Sequence, residues 1–143
     1  MGCCLSNNDI NYHKFEDSSI EYITSRVIGI YNLKIKIQIK DKKEEYNLKL
    51  YNLKFPKNNS SDKSESIIYN HLNYLLKKYL LNKTIKMKII KIKKRNIYAN
   101  IWINDMNFNE YIINQRLAVY NNEMIPVNWY MYYEYGCEYG YNI

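Results

Sequence analysis

Leu33-Lys34-Ile35-Lys36-Ile37-Gln38-Ile39-Lys40 decides the fold class. Aliphatic and polar residues alternate strictly through it, so its side chains fall on two faces of a strand, one apolar and one basic. Asp41-Lys42-Lys43-Glu44 supplies a turn, and Tyr46, Leu48 and Leu50 then alternate with Asn47 and Lys49 as the returning strand of a hairpin. The apolar face of such a hairpin needs a cover, and the rest of the chain must provide it.

Working outward, Arg26-Val27-Ile28-Gly29-Ile30 reads as an earlier strand. Beyond Phe55-Pro56 a loop from Lys57 to Lys63 leads to Ile68, Leu72, Leu75, Leu76, Tyr79 and Leu80, an apolar stripe at helical spacing. Ser61 or Ser64 is the expected N-cap, and Asn82 the left-handed residue that closes the helix. Ile85, Met87 and Ile89 alternate with Lys86 and Lys88 in a strand that runs towards Ile92. A basic turn, Lys93-Lys94-Arg95-Asn96, leads into the strand Ile97 to Ile103, and Asn104-Asp105 turns the chain again. Asn107 with Glu110 three residues on starts a short helix, Phe108 to Gln115. Five short strands with an intercalated helix predict an α+β fold dominated by a β-barrel: a five-stranded, OB-like Greek-key barrel with two to three helices.

The 143 residues suit one folded domain, and their formal charge of +7 is carried mostly by lysine, since arginine stands only at positions 26, 95 and 116. Such a surface attracts phosphate groups, on nucleic acid or on an anionic leaflet. Lys, Asn, Ile and Tyr are also all favoured by A/T-rich codons, so composition alone accounts for part of the lysine. The most apolar run, Leu72 to Leu81, is broken by Asn73, Lys77 and Lys78 and is no membrane span. Cys3, Cys4 and Cys137 bracket no core, and their spacing with His13 and His71 makes no zinc pattern.

Met1-Gly2-Cys3-Cys4-Leu5-Ser6 fits the myristoylation pattern, with Gly2 as the acceptor and Ser6 at the required place. One myristoyl chain holds a membrane only marginally, and Cys3 and Cys4 are placed for palmitoylation as the second anchor. The expected location is therefore the cytoplasmic face of a membrane in a eukaryotic cell, or in one infected by a virus. The domain reading is an acylation signal and tether over 1–22, a folded domain over 23–122 and a tyrosine-rich tail over 123–143. Within the tail, Trp129 and its neighbours are expected to dock on the barrel.

The element order and several strings resemble the staphylococcal nuclease (thermonuclease-like) family. The resemblance covers Arg26 to Tyr120. It is most specific in Lys94-Arg95-Asn96-Ile97-Tyr98-Ala99-Asn100-Ile101-Trp102-Ile103-Asn104-Asp105 and in the following Phe108-Asn109-Glu110 helix, which exits through Leu117-Ala118. Leu50 to Lys57 is similar to the family's strand end with its Asp-x-Pro-Glu. The family hydrolyses phosphodiesters with a calcium ion held by aspartates, a glutamate that assists water, and two arginines on the phosphate.

At the matching positions this chain departs from that chemistry. Gly29-Ile30-Tyr31-Asn32 replaces the Asp-Gly-Asp-Thr turn, Lys54 stands at the aspartate before the proline and Lys57 at the glutamate after it. Lys49 takes the place of the first arginine and Asn96 that of the second, with Arg95 one residue away as a substitute. Cations at former carboxylate positions repel calcium. Arg116 stands where the family has the glycine that ends its helix, which implies backbone strain or a different exit.

The acylation pattern and the missing acids together lead to the expectation of a lipid-anchored pseudoenzyme with no cofactor, present as a monomer. Its Lys49, Lys54, Lys57 and Arg95 are expected to bind phosphate on nucleic acid or anionic lipid, or to meet a protein partner. The alternative is a divergent, membrane-associated endonuclease that cuts DNA or RNA with a metal such as calcium.

Overall fold

The hairpin read from the alternation is present in the computed structural model, which describes residues 13–14, 21–58, 61–121 and 126–136. Its strands are β3 (Lys34–Ile39) and β4 (Glu45–Leu50), in chain order after β1 (His13–Lys14) and β2 (Glu21–Tyr31). Ile35, Ile37, Ile39, Tyr46, Leu48 and Leu50 are buried, while Lys34, Lys36 and Lys49 are exposed. β5 (Leu53–Lys54) and α1 (Lys63–Leu80) follow, then β6 (Thr84–Lys93), β7 (Asn96–Ile103), β8 (Met106–Asn107), α2 (Phe108–Asn114), β9 (Val119–Tyr120) and α3 (Trp129–Tyr135).

Five strands close a barrel in the order β2–β3–β4–β7–β6, with β6 pairing back onto β2. Every pairing around it is antiparallel except β4 with β7, which are parallel. A parallel pair needs a long crossover, and α1 lies within it. This mixed, closed, five-stranded barrel with three helices is the OB-like architecture expected from the sequence. Inside it, Val27, Ile37, Met87, Ile97 and Ile101 are fully buried. α1 adds Ile68, Leu72, Leu76 and Leu80 to the same core, each such side chain stabilising the fold by about 1.5–3 kcal/mol. Among the described residues no helix is long and apolar enough to cross a membrane.

The structure differs from expectation at several ends. β2 starts at Glu21 rather than Arg26, because Tyr22-Ile23-Thr24-Ser25 turns Ile23 and Ser25 inward and the buried serine breaks the apolar pattern. β1, within the stretch read as tether, pairs with the start of β2 (His13↔Tyr22). Leu33 belongs to the β2–β3 turn and not to β3; it and Asn32 both have positive φ, 63° and 49°. Asp62 caps α1 in place of Ser61 or Ser64, its carboxylate accepting from Ser64 N at 2.9 Å. The basic turn between β6 and β7 is only Lys94-Arg95, with Lys94 left-handed.

Other expectations hold. Asn82 is left-handed (φ 63°) after α1, and Asn107 caps α2 through Glu110 N. Trp129 and Tyr132 of α3 are buried against the core, so the part of the tail around Trp129 docks.

A basic, aromatic face on the outside of the barrel

β7 carries four half-buried residues on its outer face, Asn96, Tyr98, Asn100 and Trp102. Each pairs across the ladder with a lysine of β6: Lys93, Lys91, Lys88 and Lys86 in turn. Strict alternation from Ile85, Met87 and Ile89 would send Lys91 and Lys93 into the core. A β-bulge between Ile89 and Lys91 prevents this. Ile90 is the extra residue, 41% exposed, and the inward series resumes at Ile92.

On the other side of β7, Lys49 of β4 pairs with Tyr98. The Tyr98 ring therefore stands between two lysines on neighbouring strands, with Lys91 Nζ 4.6 Å from its centroid. Both lysines line a cleft of about 390 Å³ together with Tyr98. Its apolar side comes from Leu33, Leu50, Leu53 and Phe55. Leu33 is fixed there by its turn, whose backbone N–H donates to the Asn73 side chain of α1 at 3.3 Å.

A second recess, of about 370 Å³, continues along β7 past Asn100 to Trp102. Tyr51, Asn52 and Leu53 border both. These three follow β4, where the chain leaves the barrel: Tyr51 N still donates to Ala99 O, Asn52 is left-handed, and β5 pairs with β9 to build the far wall. Beyond Ala99 the β4-facing edge of β7 is served by Asn109 of α2, which accepts from Ile101 N at 3.0 Å and donates to Ala99 O at 3.3 Å. The same helix brings Glu110 to the second recess.

Of the sequence-predicted residues, the structure brings Lys49 to the cleft and leaves the others apart from its lining. Lys54 is half-buried in β5, paired with Val119. Lys57 is exposed, and its backbone N–H donates to Glu65 Oε2 at 2.6 Å. Arg95 caps the barrel end, its guanidinium 5.0 Å from the Tyr46 ring centroid and its carbonyl accepting from Asn47 N. Asn96 accepts from the Asn47 side chain at 3.2 Å, so the position matching the family's second arginine braces two strands. Tyr31 is 74% exposed at the β2–β3 turn. Burial pushes the Tyr69 hydroxyl above its usual range, and Tyr31 adds to the shift. Gly2, Cys3 and Cys4 lie outside the described residues.

Sequence reasoning missed Lys91 and Tyr98. The signal was the pair Ile89-Ile90, two aliphatic residues in succession where the alternation of β6 should have given one. Among the described residues, no group of three or more His, Cys, Asp or Glu side chains comes together as a metal-ligand set. Compared with models of known protein families and with curated proteins, the chain matches none.

Proposed function

We propose that the chain is a membrane-tethered binding module that holds a phosphate polyanion on the outer face of an OB-like barrel, and that its nuclease-like resemblance reflects a degenerate catalytic site. The observation that carries this reading is the bracket of Lys49 and Lys91 around Tyr98 in one cleft. Two ammonium groups on the strands that flank β7 favour an anion, and the tyrosine between them offers a ring face to whatever carries it. The lysines at positions 54 and 57 support the loss of calcium chemistry, because cations there oppose a divalent ion. The acylation pattern at Gly2, Cys3 and Cys4 supplies the tether.

Three measurements on the full-length chain test the reading. Wild-type protein in eukaryotic cells is to sediment with membranes, and Gly2→Ala is to release it; equal distribution of both removes the tether. Inorganic polyphosphate is to bind with an affinity that falls steeply with salt and drops in Lys49→Ala and Lys91→Ala. Affinity unchanged by either substitution removes the site. Metal-dependent cleavage of DNA or RNA that is lost with Lys49→Ala or Arg95→Ala would replace the binding module by a rebuilt endonuclease.

A further inference from the structure

The second recess differs in character from the first. Glu110 lines it beside Lys88, Asn100, Asn107 and the rings of Trp102 and Tyr120. Glu110 and Lys88 are both exposed, and Tyr120 is 50% exposed at the rim. Asn107 spends its side-chain oxygen on the α2 cap, where it accepts from Glu110 N at 3.1 Å, which leaves its amide NH₂ to donate. A recess that joins aromatic faces to one carboxylate, one ammonium and an amide donor is poorly suited to a bare phosphate chain. The carboxylate repels phosphate, and the rings give it nothing to hold.

We infer that this recess reads a guanine base of a single-stranded nucleic acid, with Glu110 as the specificity-determining residue. The inference rests on the polyanion reading above and adds the chemistry of the ligand. Guanine alone among the common bases places two adjacent donors, N1–H and the exocyclic N2–H₂, on the edge that is free in a single strand. An ionised carboxylate only accepts and can take both at once. The amide donors of the recess suit the neighbouring O6, and the rings of Trp102 and Tyr120 offer stacking surfaces. Lys88 is the outward lysine of β6 next to Lys91 across the bulge, two ladder rungs away, so the phosphates on either side of the base meet Lys88 and then Lys91, which also lines the first cleft.

The geometry favours a single strand over a duplex and over a lipid surface. Stacking needs an unpaired base face, and the guanine edge in question is consumed by pairing in a duplex. The two recesses form one trough along β7 because they share the border Tyr51, Asn52 and Leu53. From Asn96 to Trp102 the strand covers about 20 Å, which suits a short run of nucleotides near the lower end of the roughly 4–16 that an OB fold engages. In the free protein Lys91 covers the Tyr98 ring. A neighbouring base that stacks there displaces its ammonium towards a phosphate.

The test uses full-length protein made without acylation and fluorescently labelled 11-mers, read by anisotropy. The probes are thymidine 11-mer, the same strand with one central guanine, and the same strand with inosine there, which lacks the N2 amine. The guanine strand is to bind roughly 5- to 150-fold tighter than the thymidine strand, with inosine between them. Glu110→Gln is to remove that preference while leaving the salt slope of thymidine-strand binding unchanged, because the neutral amide neither adds nor removes a phosphate contact. Equal binding of all three strands, or a guanine preference that survives Glu110→Gln, overturns the inference and leaves the polyanion reading standing. Binding of polyphosphate without binding of any 11-mer, or stronger binding to phosphatidylserine vesicles than to the guanine strand, also overturns it. Loss of both polyphosphate and oligonucleotide binding brings down the two readings together.

Discussion

The guanidinium of Arg116 packs on Gly136: a Cβ added to that glycine would stand 3.2 Å from Nη2. Arg116 itself holds a left-handed backbone, φ 59°, at the exit of α2. The helix therefore ends as a glycine would end it, and the strain implied by an arginine there is present. The side chain gives something in return, since Nη1 donates to Tyr133 O at 3.3 Å and ties α2 to α3.

Gly136→Ala tests this junction. Gly136 caps α3 at φ 79°, where a side chain costs roughly 1–2 kcal/mol, and the new methyl crowds the guanidinium. The denaturant midpoint is expected to fall with an unchanged m-value. An unchanged midpoint would mean that α3 contributes nothing to the cooperative unit.

Asn109→Ala is expected to destabilise the barrel by roughly 1–3 kcal/mol. Its amide serves two buried groups of β7, but they are not equally exposed to the loss. Ala99 O keeps the N–H of Tyr51 at 2.9 Å, whereas the Ile101 N–H loses the acceptor it has in Asn109. The cost is thus that of one orphaned donor. Amide hydrogen exchange provides the specific reading, with protection lost first at Ile101.

Ser25→Ala is expected to work in the opposite direction. Ser25 is 1% exposed on the inner face of β2, and its hydroxyl has no hydrogen-bond partner among the described residues. Removing a buried, unpaired hydroxyl leaves a small apolar group among Ile23, Val27, Ile39 and Ile85, so the melting temperature should rise. A lower value would show that the hydroxyl finds a partner in solution.

How far the fold could be read from the sequence depended on how regular each strand is. β3, β4 and the first half of β6 have unbroken alternation, and α1 has an apolar stripe of six residues, so these elements and the OB-like class were legible. Ser25 hid the start of β2, and the bulge at Ile90 hid the outward turn of Lys91. The site suffered more than the fold for the same reason. Lys49 sits on a regular strand, so its outward direction could be read; its partner across Tyr98 sits just after a register shift, so its direction could not. Lys49, Lys54, Lys57 and Arg95 were all chosen by position in a resemblance, and only Lys49 lines the cleft, because chain position does not say which side of a wall a side chain occupies.

Alkaline pH should weaken the fold through Tyr69 and Tyr111. Burial raises the Tyr69 hydroxyl; a hydrogen bond with Tyr79, followed by burial, raises that of Tyr111. Because both folded values lie above the unfolded one, their contribution is complete below about pH 10 and is lost as pH rises past it, when the unfolded chain sheds protons that the folded chain keeps. Stability measured between pH 8 and 11 should be flat at first and then decline. Tyr69→Phe combined with Tyr111→Phe should make the decline shallower; the same slope in both proteins would assign it to other tyrosines.

Leu33→Gly sets two effects of known sign against each other. Tyr31 pairs with Lys34, so Asn32 and Leu33 form a two-residue hairpin turn with both central residues left-handed. That arrangement favours Asn-Gly, and replacing leucine by glycine relieves roughly 1–2 kcal/mol of backbone strain. Leu33 is only 8% exposed, however, and buried leucine truncations cost about 2–5 kcal/mol. Lost packing outweighs the relieved strain, so the variant should be less stable by a few kcal/mol. It should also bind polyphosphate more weakly, since Leu33 forms part of the cleft beside Lys49 and Tyr98. A variant of equal or greater stability would show that the turn, not the packing, governs this corner of the barrel.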